Sequence, residues 1–144
     1  MDTTTNLFEH IRNRLPSEYG LGDNNTQYDA DGVPDHRVWE QSLREDHEGD
    51  VGVFQNRLTQ IEMFHGISGY EAVVQIAVVC QSGCIEEAEK YLMDAYKELK
   101  NNDKSTGIYV KRCDFINIIP LGKNSIGNQM VEMDLSLKYV PLNI

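Results

Sequence analysis

Basic residues are scarce in this 144-residue chain: 13 Lys and Arg stand against 23 Asp and Glu, a formal charge of −10 with four neutral histidines. That shortage argues against the Lys/Arg clusters with which proteins neutralise nucleic-acid phosphates. Cysteine is sparse and odd in number. Cys80, Cys84 and Cys113 lie in or beside apolar runs, and they read as reduced, buried thiols of a cytosol-assembled protein rather than a secreted disulfide framework. No apolar run approaches the ~20 residues that span a bilayer. Met1 to His10 show neither a basic n-region nor an apolar h-region, so a soluble chain without a leader is expected. No glycine run precedes a helix in a phosphate-binding pattern.

What is present is the composition of an ordinary globular protein, 40% apolar, 25% charged and 8% aromatic. The length suits one domain, 1–144, able to bury roughly two-thirds of its unfolded surface without staples. The acidity is uneven. Residues 1–50 hold 12 acids and 4 bases, net −8, whereas 51–144 hold 11 and 9, net −2.

Leu7, Phe8, Ile11 and Leu15 fall on one helical stripe closed by Pro16, with Thr3, Thr4 or Thr5 as caps, which predicts a helix over 5–15. From 17 to 50 neither period is sustained and turn residues recur, so this stretch is read as a long acidic insert. Within it Asp35 can cap a short helix carrying Val38, Trp39 and Leu43. A core of 51–140 follows: a short strand Val51 to Gln55, an irregular crossing loop to Gly69, and a central strand Tyr70 to Cys80 with β-branched residues on both faces. Ile85, Ala88, Leu92, Ala95 and Leu99 mark a helix ended by Asn101 and Asn102. Ile108 to Ile119, a hairpin tip Pro120 to Asn128 and a return strand Gln129 to Val140 complete the chain. The order predicts an α+β domain with a mostly antiparallel sheet of about four strands and helices packed on one face.

Chemistry-bearing constellations are few. Asp29, Asp31 and Asp35 resemble the opening of a calcium loop, but Gly32 falls at position four rather than six, and an Asx turn explains them better. Cys80 and Cys84 lack a second pair at zinc spacing. His10, His36, His47 and His65 are scattered without a nucleophile and are read as surface histidines. Neither a catalytic centre, a metal nor a cofactor is expected. Trp39 is either a hydrophobic pin for the insert or an anchor in a neighbouring chain's pocket. Glu132, Asp134, Ser136 and Lys138 alternate with Val131, Met133, Leu135 and Leu137, so one set packs and the other meets solvent or a partner.

The strand Asp50 to Phe54, the strand Tyr70 to Ile76, the helix opening Glu86-Glu87-Ala88, the hairpin Pro120-Leu121-Gly122-Lys123 and the closing Tyr139-Val140 together resemble the tail-terminator and minor-capsid proteins of tailed bacteriophages. The resemblance spans residues 49 to 140. It implies a non-enzymatic virion protein, assembled in the host cytoplasm, that forms a homo-oligomeric ring, commonly a hexamer, at the head-proximal end of the tail. Such a ring ends growth of the tube, contacts the tail tube protein and the head connector protein, and lets DNA pass without specific binding; no membrane is involved. Trp39 and the tip residues Lys123, Asn124, Ser125, Ile126 and Gly127 are then the expected interface, and Glu132 and Asp134 the expected lumen-facing acids. The insert 17–50 is longer and more acidic than the resemblance implies. An alternative function is a small-molecule-binding α+β regulatory domain or minor enzyme, with its pocket between the sheet and the loop 51–69.

Overall fold

The computed structural model describes residues 3–16, 38–43, 49–102 and 106–142. Helix α1 runs Thr3–Arg12, starting earlier than the stripe predicts and ending earlier. Its last turn tightens through Arg14 N–H to the Ile11 carbonyl and Leu15 N–H to that of Arg12, the i→i+3 pattern common where helices stop. Pro16 follows. Leu7, Ile11 and Leu15 are buried, as one stripe should be.

Five strands follow: β1 Val38–Glu40, β2 Val51–Phe64, β3 Ile67–Cys80, then, after helix α2 (Ile85–Glu98), β4 Ile108–Lys123 and β5 Gln129–Pro141. They form one sheet of order β1-β2-β3-β5-β4, in which β1 pairs in parallel with β2 and all other pairs are antiparallel. The α+β expectation of about four strands beneath packed helices is therefore overturned. The chain is mostly β, 55% strand against 21% helix, with a five-strand mixed sheet and only two helices.

Two segments account for the difference. The stretch after Gln55 is not a crossing loop but the second half of a 14-residue strand, paired with β3 and joined to it through a turn at 65 and 66, where Gly66 has φ 70°. The register slips at Asn56 and again at Met63. Each bulge moves later side chains to the other face, so Leu58, Ile61 and Met63 follow no single period of two. The other segment is the short helix expected at Val38, which is instead the edge strand β1.

The core lies on one face of the sheet. Ala72, Val74, Ile76 and Val78 of β3 stand opposite Leu137, Leu135, Met133 and Val131 of β5, all buried. On them pack Leu7 and Ile11 of α1 and Ala88, Tyr91, Leu92 and Ala95 of α2. Glu86 and Glu87 in the first turn of α2 and Lys97 in its last suit the helix dipole. Burying one such aliphatic side chain contributes about 1.5–3 kcal/mol.

His10 corrects the expectation of a surface histidine. It has no exposed surface, and its Nε2–H donates to the Leu99 carbonyl at 2.8 Å, fastening α1 to the end of α2. No helix among the described residues is long and apolar enough to cross a membrane.

Candidate functional site

The expected interface begins at the turn between β4 and β5. Because β4 runs on to Lys123, the turn shrinks from 120–128 to 124–128. Asn124 organises it: its Oδ1 accepts the N–H groups of Ile126 and Asn128 at 3.1 Å each, and its own N–H donates to the Asn128 carbonyl at 2.8 Å. This is the Asx geometry that short polar side chains offer a turn. Gly127 sits at φ 92°, where a side chain would be strained. Lys123, Ser125, Ile126 and Gly127 project into solvent, while Asn124 is half-buried and holds the turn together.

Behind this turn β4 bulges three times against β5, at Lys111, Ile116 and Leu121, once every five residues. Each extra residue bends the strand and increases its twist. Nine large apolar side chains are exposed among the described residues, and six of them, Tyr109, Phe115, Ile116, Ile119, Leu121 and Ile126, lie on β4 and its turn. Single exposed apolar residues are ordinary, but a contiguous group of them marks an interaction surface. Phe115 turns to the helix side, where it meets the Tyr96 ring edge-on at 5.6 Å between centroids, whereas Ile119 stands beside Glu132 on the opposite face. The apolar surface thus wraps the edge. The sequence reading missed these residues, although the signal was there: apolar residues of both parities at 115, 116, 118, 119 and 121 cannot share one face of a strand.

Glu132 and Asp134 come together on the face away from the helices, β5 separating their side chains from those of Met133 and Leu135. Asp134 belongs to a polar row across four strands, between Gln75 on β3 and Asn117 on β4, with Asn56 of β2 donating to Gln75 Oε1 at 2.6 Å. Partial burial raises the Glu132 pKa above the usual carboxylate range, and the neighbouring charge of Asp134 and a hydrogen bond to it add to the effect. Further along the face Lys138 approaches Glu71 at 3.7 Å and Arg112 meets Asp114 at 2.9 Å.

A groove lined by Ile61, Glu62, Met63, Lys111, Arg112 and Lys138 closes this end of the face. Gly69 makes it possible, since a Cβ there would collide with the Met63 side chain and stand 2.7 Å from the Tyr139 carbonyl. The end of β2 reaches across Gly69, and Lys111 Nζ donates to the Met63 carbonyl at 3.4 Å. The pocket imagined between the sheet and a loop 51–69 does not exist in that form, because 51–64 is itself a strand of the sheet.

Trp39 lies on β1, paired in register with Gly52. Its Nε1–H donates to Asp50 Oδ2 at 2.9 Å, and the indole is 36% exposed. The side chain therefore pins β1 while offering ring surface outward. Beyond it the Gln41 amide pairs with the Gln55 backbone, accepting its N–H and donating to its carbonyl at 3.3 Å. Asn102 does the same at the opposite edge, accepting Val110 N–H at 2.7 Å and donating to the Val110 carbonyl at 3.0 Å. Each outer edge of the sheet thus has a side-chain amide in place of a further strand.

Cys80 and Cys113 are buried, Cys84 is half-buried, and none is in a disulfide. Burial pushes the Cys113 thiol up to about 12. No group of three or more His, Cys, Asp or Glu among the described residues is placed to hold a metal. His65 is exposed in the β2–β3 turn. The calcium-like Asp29, Asp31 and Asp35, with His36 and His47, lie outside the described residues. Comparison with protein families and with curated proteins finds no match to this chain.

Proposed function

We propose that this protein is a non-enzymatic structural subunit of a phage or phage-like tail, a ring-former at the head-proximal end that stops tube growth and joins the tail to the head connector. The observation that supports this reading most is the collection of six large apolar side chains on one sheet edge and its turn, on a chain otherwise rich in charge. Such an edge has a use in an assembly and none in an isolated domain. The sequence resemblance supplies the kind of assembly. A net charge of −10 also suits a passage for DNA, because each Lys or Arg bound to phosphate would add a counterion-release hold on the moving strand.

The test is direct. Purified protein examined by light scattering and negative-stain microscopy should form closed rings, and added to growing tail tubes it should cap them at one end. A monomer at tens of micromolar that leaves tube length unchanged would overturn the proposal.

A further inference from the structure

We infer that the apolar outer edge of β4 is the seat for the β1–β2 outer edge of a second copy of this chain, so that subunits join head to tail through unlike edges of the same sheet. The inference rests on the ring reading above and names the surfaces that make the ring.

Position is the first argument. The strand order places β4 at one end of the sheet and β1 with β2 at the other. Six of the nine exposed large apolar side chains lie on β4 and its turn, while Trp39 and Leu58 lie on β1 and β2; Ile67 is at the β2–β3 turn. Neither helix carries one. When unlike patches meet, each copy still presents one patch of each kind, so the contact repeats until rotation closes it.

Charge decides between this arrangement and a two-fold pairing of like edges. On β4, Lys111, Arg112 and Lys123 are exposed with only Asp114 to offset them, a local net of +2 on a chain of −10. Along β1 and β2 the exposed charges are Glu40 and Glu62 against Arg57, a net of −1. Unlike edges attract, whereas β4 against β4 sets +2 on +2.

The backbone decides how the edges meet. Three bulges and Pro120 disrupt the hydrogen-bonding edge of β4, Asn102 occupies Val110, and Gln41 occupies Gln55. Features of this kind suppress open-ended strand addition. The contact is therefore made by side chains, and the product is a discrete ring rather than a fibre. Edges joined around a ring place α1 and α2 on one side of its wall and Glu132 with Asp134 on the other, which gives the two acids a route to the axis.

Cross-linking tests this. In a Cys84→Ser background, Ile116→Cys and Leu58→Cys are prepared separately and treated with a flexible bismaleimide that tolerates a register error of a residue or two. Both sites are exposed, so circular dichroism should match the parent. The expected result is a covalent dimer in the equimolar mixture, neither variant linking to itself, and a ladder ending at the ring size for the chain carrying both substitutions. Self-linking of Ile116→Cys would establish pairing of like edges and overturn the inference. Rings visible by microscopy without any cross-link would overturn it while leaving the tail reading standing. A chain that light scattering shows to be monomeric at all concentrations would overturn both.

Discussion

The indole N–H of Trp39 donates to a carboxylate oxygen of Asp50, 2.9 Å away, and Asp50 has no exposed surface. The bond holds a three-residue strand to the sheet at the point where Gly52, its register partner, leaves room for the Ser42 carbonyl and the Phe54 ring. Trp39→Phe keeps the ring but removes the donor. It should lower stability by about 1–3 kcal/mol, the range for a hydrogen bond to a charged group, measured as a shift in the urea midpoint followed by circular dichroism.

Thiol chemistry should sort the cysteines by burial. In native protein at pH 8 a disulfide reagent should modify Cys84 and leave Cys80 and Cys113 unmodified until denaturant is added. The Cys113 thiol is pushed up to about 12 when folded, so its contribution to stability is fully present below about pH 9 and is lost as pH rises towards 12. Urea midpoints between pH 8 and 11 should fall more steeply in the parent than in Cys113→Ala.

The carboxyl of Glu132 titrates above its ordinary range because of burial first, then the charge of Asp134 and the hydrogen bond to it. A raised folded pKa stabilises below the unfolded value near pH 4, and that contribution is lost as pH rises through the folded value. Glu132→Gln should therefore gain stability relative to the parent between pH 4 and 7. Asp134→Asn removes the second and third causes but not burial, so the Glu132 carboxyl followed by carbon NMR should move only part of the way back.

Gly69→Ala should destabilise the fold by about 1–3 kcal/mol, the range for overpacking a filled site. Met63 can swing aside, but the Tyr139 carbonyl is backbone and stands 2.7 Å from the added Cβ. Adding Met63→Ala should therefore recover only part of the loss, read as melting temperature in the single and double variants.

Legibility in the sequence followed the strength of each segment's periodicity. The run around Val74 to Val79, the stripe Ala88-Leu92-Ala95 and the alternation from Val131 to Leu137 each carry one clean period, and β3, α2 and β5 lie there. The second half of β2 was illegible because two bulges interrupt its pattern and its side chains are largely exposed. Strand β1 was illegible because three residues hold no period, and its bond to Asp50 is a tertiary contact. For His10, the helical stripe was read from apolar residues alone, and the acceptor that makes its burial tolerable is 89 positions away. On β4 the expected interface reached as far as the tip, but the apolar residues behind it were taken for an ordinary paired strand.

The contact between His10 and Leu99 has a consequence for the order of biosynthesis. Helix α1 leaves the ribosome first, yet the carbonyl that receives its imidazole is translated 89 residues later. At roughly 5–20 residues per second that is a wait of about 4–18 s. In that interval the apolar stripe Leu7-Ile11-Leu15 has no finished seat, and a holding chaperone has its clearest opportunity to bind the nascent chain. The first segment made is among the last to dock.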